Sequence, residues 1–158
     1  MSEQRFGLGF DVHPFGVGRT LFLAGVRFDG EPGLTGHSDG DAVCHALADA
    51  LLGAAALGDI GEHFPETDER LEGIGGLDLL SRTVGKIRVR GLSAWSADVT
   101  VLAERPAIGP RREEMRRNLA SALNVSLDRM SVKATRPEGM GLRGDGVGCL
   151  ALAVLSIE

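Results

Sequence analysis

Asp11 and His13 stand two residues apart at the end of a segment, Gln4 to Phe10, that reads as a strand. Strand side chains alternate, so a carboxylate and an imidazole at this spacing point to one side and reach a common ion. His45 would complete a carboxylate–imidazole–imidazole set from a helix. That leaves a fourth position free for a substrate oxygen, as in catalytic zinc sites. Asp41, His45 and Asp49 are spaced by four and share a helix face, which lets Asp49 orient an imidazole from behind. Cys44 points about 100° around that helix and is poorly placed as a fourth ligand. Each signal alone has a plainer reading. Asp11-Val12-His13-Pro14 reads as a strand-end turn, His45 as a hydrogen-bonded core histidine, and His63 as a solvated loop residue. Their coincidence in one chain points to a metal site.

The elements that must position these groups follow from periodicity. The helix carrying His45 is expected to begin near Ser38 or Asp39, both favourable N-caps, with Asp41 adding charge that suits the positive helix end. Val43, Leu47, Ala50, Leu51 and Ala54 give its apolar stripe, and Gly58 closes it. Thr20 to Phe28 is a second strand, where Gly16-Val17-Gly18 before it and Gly25 within it allow turns or a bulge, and Asp59 to Gly76 is a polar, glycine-containing loop. Leu77, Leu80, Val84 and Ile87 have helical spacing up to Gly91. Trp95 to Glu104 alternates as a half-buried strand. Pro110 suits the first turn of a third helix with Met115, Leu119, Ala122 and Leu123 on its apolar face. Ser131 to Thr135 is a short strand, Arg136 to Gly148 a glycine-rich loop, and Cys149 to Ile157 an almost continuous apolar strand. The expectation is one α+β domain over residues 1–158, with a mixed four-stranded sheet covered on one face by helices. The last strand is apolar on both faces, so its second face needs cover that another subunit would supply.

Composition narrows the function classes. A net charge of −5 argues against a general nucleic-acid binder. Two cysteines without a CxxC pairing suggest a reducing compartment. The segment MSEQRFGLGF lacks the features of a signal peptide, and no apolar run is long enough to span a bilayer. A soluble cytoplasmic protein is expected, with neither nucleic acid nor membrane as partner. Glycine, at 23 residues, stands at roughly twice its usual share, which points to tight turns and close backbone approaches.

Three blocks carry a resemblance: FDVHPF at 10–15, GHSDGDAVCHALADALLGAAALGDIGEHFPETD at 36–68 and SVKATRPEGMGL at 131–142. They resemble the signatures of the 2-C-methyl-D-erythritol 2,4-cyclodiphosphate synthases, lyases of the non-mevalonate isoprenoid pathway, and the likeness runs essentially end to end. The resemblance implies conversion of 4-diphosphocytidyl-2-C-methyl-D-erythritol 2-phosphate to the cyclic diphosphate with release of CMP. It implies one zinc ion per subunit on Asp11, His13 and His45. A second divalent ion, magnesium or manganese, would sit on Glu138 and the substrate diphosphate. His37 and Ser38 would contact substrate beside Asp11, Val12 and His13, while Asp59, Ile60 and Gly61 match the diol-binding segment. So do Phe64, Pro65, Glu66, Thr67 and Asp68, together with Leu142. Ala103, Glu104, Arg105, Pro106, Ala107, Ile108 and Gly109 match one wall of the cytidine-phosphate pocket; Thr135, Arg136, Pro137 and Glu138 match the other. His37 and Arg136 fall at positions of transition-state stabilisers. The family is a homotrimer with its sheets around the axis and its active sites between subunits, which agrees with the doubly apolar last strand.

The chain departs from the family pattern at four places. Ala107 follows Pro106 where the family has lysine, and Arg136 replaces a threonine. A planar guanidinium donating to phosphate oxygens would offset the missing lysine. Ile74-Gly75-Gly76 replaces Ala-Asp-Ser, so greater mobility is expected from Glu66 to Gly76. At the trimer axis Asp145 and Val147 replace an arginine and a glutamate, with Arg143 as the neighbouring cation. The pair that faces a central cavity for isoprenoid-like ligands is therefore missing. A trimeric relative that binds metal or nucleotide with altered activity would show such departures; a zinc phosphohydrolase would release a linear product instead.

Overall fold

Two glycines on the first strand set how closely the fold packs. Strand β1 (Gln4–Leu23) meets helix α1 (Ala42–Ala54) backbone to backbone. A Cβ on Gly9 would fall 1.8 Å from Ala46 O, and one on Gly7 2.0 Å from Ala50 O. Alanines at 46, 50 and 54, four apart, form the helix face that rests on them. The protein is described by a computed structural model covering residues 3–141 and 144–157.

The remaining strands are β2 (Val26–Leu34), β3 (Leu92–Leu102), β4 (Met130–Thr135) and β5 (Gly146–Ile157). They form one mixed sheet in the order β2-β1-β5-β3-β4. The sheet therefore has five strands rather than four. Thr20–Phe28, expected as one strand, is a hairpin: Thr20–Leu23 continues β1 and Val26–Phe28 begins β2. Ala24 and Gly25, at φ 52° and 69°, make a two-residue turn whose twist suits paired antiparallel strands. All neighbours are antiparallel except β3 and β4, which are parallel and joined through helix α4 (Arg112–Leu123). β1 changes partner midway, pairing with β5 from Gln4 to Pro14 and with β2 from Phe15 onward. Asp11 and His13 stand just before that divergence, where the sheet opens.

Eleven of the thirteen residues of α1 are buried, so it is a core helix with no solvent face of its own. Its start is Ala42 rather than Ser38 or Asp39, because Asp41 is the side chain that caps it. The buried Asp41 carboxylate accepts from Cys44 N at 3.1 Å, and from Ala24 N and Gly25 N at 2.9 and 2.7 Å, pinning the β1–β2 turn to the helix. The helix also ends before Gly58. Ala56 takes the left-handed conformation at φ 54°, with Ala56 N donating to Gly53 O and Leu57 N to Leu52 O. The expected loop over 59–76 contains a single-turn helix, α2 (Ile60–His63), and a 3-10 turn at Glu69–Leu71. Helix α3 (Gly76–Val89) packs against α1 and α4.

Even-numbered residues of β1 face away from α1. Phe6, Leu8 and Phe10 are 64%, 70% and 57% exposed, and their β5 neighbours Leu150 and Leu152 are exposed as well. Phe10 pairs with Leu150 and Leu8 with Leu152, so these side chains form one continuous apolar surface on the helix-free side of the sheet. No helix among the described residues is long and apolar enough to cross a membrane.

Candidate metal centre and nucleotide cavity

The alternation that turns Phe10 and Val12 outward turns Asp11 and His13 toward α1. His45 precedes Ala46, the residue against Gly9, and so reaches the same point from the helix. His13 Nε2 lies 2.8 Å and His45 Nδ1 3.3 Å from Asp11 Oδ2, and the two imidazole nitrogens are 3.2 Å apart. Asp11 Oδ2 is nevertheless a buried oxygen with no hydrogen bond of proper geometry. Three potential ligand atoms this close together, one of them a buried oxygen without a partner, can share one ion. The donor set fits a divalent cation.

The far nitrogen of each imidazole is held. His13 Nδ1 donates to Thr35 O at 2.6 Å, which leaves the Nε2 lone pair for the cluster. His45 Nε2 lies 2.9 Å from Ser38 Oγ, which also accepts from Gly40 N at 3.1 Å. Asp49 does not orient an imidazole as its spacing suggested; its Oδ1 accepts from Ile60 N at 2.8 Å and fixes the start of α2. Burial raises the pKa of Asp11, but the His13 and His45 imidazoles in close contact with it outweigh that and hold the carboxyl at about 2. The Asp11 carboxylate 2.8 Å away pushes His13 up, against the effect of burial. Cys44 is not among the converging groups, and burial pushes its thiol up.

The cluster opens into a cavity of about 180 Å³. His37 and Ser38 line it beside the three ligands; Ile60, Gly61, Phe64 and Glu66 form the opposite wall. Leu71, Ile74 and Leu79 close it; the sequence marks Ile74 only as a departure from the family pattern, and Leu71 and Leu79 not at all. His37 Nε2 stands 3.4 Å from Asp68 O. A second cavity, of about 300 Å³, lies at the ends of β3 and β4. Ala103, Pro106, Ala107, Ile108 and Gly109 line one side, Thr135 and Arg136 the other. Among the described lining residues Arg136 supplies the only ionic group, across the cavity from Ala107. Among the described residues the two cavities have no lining residue in common.

A family model described as the YgbB family matches residues 4–158. The chain belongs to the YgbB family. Among YgbB relatives, a 2-C-methyl-D-erythritol 2,4-cyclodiphosphate synthase from Alkaliphilus oremlandii is 47% identical over 154 residues, covering 98% of each chain. A bifunctional enzyme IspD/IspF from Anaeromyxobacter sp. (strain Fw109-5) is 50% identical over 151 residues, covering 94% of this chain and 39% of that protein. The chain thus spans about two fifths of that bifunctional relative. The solved structure of the bifunctional IspDF from Campylobacter jejuni has a TM-score of 0.94 at 39% identity, covering 100% of this chain and 43% of that one. A 2C-methyl-D-erythritol-2,4-cyclodiphosphate synthase in its CDP-bound form has a TM-score of 0.88 at 36% identity, covering 96% and 99%.

The other positions implied by the YgbB resemblance are spread more widely. Val12 sits on the outward sheet face, not in the cavity. Asp59 uses its carboxylate as the α2 N-cap, accepting from Glu62 N at 3.0 Å. Pro65 and Thr67 do not line the metal cavity, and Asp68 faces a neighbouring groove with its carboxylate paired to Arg70. Glu104 Oε1 accepts from Gly139 N at 3.0 Å, which fixes the turn carrying the exposed Glu138 next to Pro137. Arg105 lies over the Phe15 ring at 5.2 Å. Asp145 is exposed, whereas Val147 is fully buried beside His13 on the α1 side of the sheet and away from the free apolar face. Leu142 and Arg143 lie outside the described residues. His63, expected in solvent, donates from Nε2 to Leu57 O at 2.7 Å.

Proposed function

We propose that the chain converts 4-diphosphocytidyl-2-C-methyl-D-erythritol 2-phosphate into 2-C-methyl-D-erythritol 2,4-cyclodiphosphate and CMP. One observation carries this reading. Asp11, His13 and His45 converge in the wall of a cavity that also presents His37 and Ser38, in a chain 47% identical to a named cyclodiphosphate synthase.

In the reaction an oxygen of the 2-phosphate attacks the β-phosphorus. The bond from β-phosphorus to the oxygen bridging the α-phosphorus breaks, and CMP leaves with that electron pair. No side chain has to become a nucleophile; the protein positions the two phosphates and neutralises their charge. We assign Asp11, His13 and His45 to zinc, because two imidazoles and a carboxylate suit that ion. When bound, the ion supplies fixed positive charge that holds the attacking phosphate. Ser38 accepts from Gly40 N and from His45, which leaves its own hydroxyl proton to donate into the cavity. His37 donates beside it. The apolar Ile60, Phe64, Leu71, Ile74 and Leu79 bound the cavity and limit water as a rival nucleophile. Arg136 takes the cytidine-side phosphate in place of the lysine absent at Ala107, and Glu138 would hold a second divalent ion, magnesium or manganese, which would supply positive charge to the substrate diphosphate.

The site is assembled between subunits of a homotrimer, with residues 1–158 as one domain working in the cytoplasm. Two features support the trimer: the exposed apolar face around Phe6, Leu8 and Phe10, and the separation of the metal cavity from the cytidine cavity within one chain. Light scattering should give three times the chain mass of 16.6 kDa; a mass equal to one chain removes the intersubunit site. The activity is tested by incubating the protein with the diphosphocytidyl substrate, zinc and magnesium, and separating the nucleotides. Release of CMP is expected, and its absence refutes the reading.

A further inference from the structure

His37 and Ser38 sit in an irregular segment, Gly36 to Asp41, with no helix or strand of its own. Its carbonyls need partners from elsewhere, and what supplies them decides where the two side chains point. His37 O accepts from Gly73 N at 2.9 Å. The carbonyls on either side of it converge on one group. Arg19 Nη1 donates to Gly36 O at 2.9 Å, and Arg19 Nη2 donates to Ser38 O.

A local irregularity of β1 delivers that guanidinium. Gly16 pairs with Gly33 and Thr20 with Pro32, so residues 17–19 bulge out against no partner residue on β2. Bulges of this kind re-aim side chains beside active sites. Gly18 turns the bulge at φ 76°, in the region glycine favours. Gly33 lets the bulge close against β2, since a Cβ there would lie 2.5 Å from the Arg19 carbonyl carbon. Arg19 forms no ion pair among the described residues, so its fork is committed to the two carbonyls.

We propose that Arg19 is a positioning residue for the cyclisation, clamping the backbone on both sides of His37 so that His37 and Ser38 face the phosphate. The inference rests on the activity proposed above. The clamp reaches further through Ser38, whose hydroxyl holds the far nitrogen of His45. A planar fork fixes two acceptors at a set spacing; a lysine ammonium carries the same charge without that geometry. Arg19 therefore acts by shape, and charge alone does not replace it.

The test uses the full chain with Arg19→Gln, Arg19→Lys, His37→Gln and the double variant Arg19→Gln/His37→Gln. Arg19→Gln should lower kcat about 100-fold, the scale of a misplacement near 1 Å. Arg19→Lys should not restore it. In the His37→Gln background, Arg19→Gln should cost no more than about threefold further, because the two act on one function. Fully multiplicative effects overturn the proposal, as does recovery in Arg19→Lys, which would mark a steering charge instead. Amide hydrogen exchange supplies a readout that does not depend on turnover. Exchange at Asp39, Gly40 and Asp41 should rise at least about tenfold in Arg19→Gln while α1 and β5 keep their protection. Unchanged exchange there overturns the proposal whatever the activity. If the unsubstituted chain releases no CMP but the exchange rises as stated, the clamp stands and only the assigned reaction falls.

Discussion

Replacing Gly9 by alanine probes the contact on which both fold and metal centre depend. The added Cβ would lie 1.8 Å from Ala46 O, 2.7 Å from Ala50 N and 2.9 Å from Ala46 C. All three are main-chain atoms of a buried helix, so no side chain can swing away. Ordinary contact starts near 3.4 Å, and relieving the worst overlap therefore requires α1 and β1 to part by about 1.6 Å. Overpacking typically costs about 1–3 kcal/mol; with rigid backbone on both sides the upper end is expected, about 3 kcal/mol. The same movement separates His45 from Asp11, whose ligand atoms now stand 3.3 Å apart. Metal sites require their distances to hold within about 0.2 Å, so zinc affinity should fall by at least about 100-fold. Urea unfolding of the metal-free chain gives the first quantity, and chelator competition the second. Gly85→Ala in α3 is the control: nothing lies within 4 Å of a Cβ added at that position, and it should stabilise by about 0.5–1 kcal/mol. If Gly9→Ala stays within about 0.5 kcal/mol of the unsubstituted chain and binds zinc equally well, the backbone contact is not what sets the site.

Ala56→Gly should stabilise the chain by about 0.5–1 kcal/mol, because it relieves a left-handed alanine at the end of α1; thermal unfolding at fixed pH checks it. Zinc affinity should fall as pH drops through the raised pKa of His13, by about tenfold per unit once a single proton must be displaced. Asp11, held at about 2, stays ionised across that range. In the metal-free chain the sign reverses. A raised His13 stabilises the fold fully below 6.5, and that contribution is lost as pH rises through the folded value, which denaturation across pH 5–9 would show. Arg136→Ala should weaken substrate binding and turnover, and unchanged values would remove its phosphate role. Mixed trimers of Arg136→Ala and His45→Ala chains should regain about a quarter of the activity, since one site in four combines two intact halves. No regain places both halves in one chain.

The sequence was most legible where a short-range rule was enough. Spacing of two puts Asp11 and His13 on one strand face, and the periodicity around Val43 to Ala54 finds the helix that brings His45. It was least legible where backbone atoms from elsewhere decide. Thr35 O orients His13, which side-chain motifs could not reveal. Asp49 had the right helical spacing to serve His45, but Ile60 N lies nearer to hand, and Ser38 takes the imidazole instead. Thr20–Phe28 reads as one strand in which Gly25 allows a turn; the turn that divides it is made by Gly25 together with Ala24, which takes a conformation usually signalled by glycine or asparagine. The stretch from Glu66 to Gly76 looked loose, yet Gly73 N, Ile74 O and Gly76 N all bond to the His37–Asp39 segment. Long-range acceptors of this kind leave no local pattern.

The most direct measurement follows phosphorus NMR of the diphosphocytidyl substrate with the purified chain, zinc and magnesium. The proposed chemistry predicts CMP and the cyclic diphosphate appearing in equal amounts, with loss of both signals in Asp11→Asn. CMP accompanied by a linear phosphate, or no change in the substrate, would contradict it.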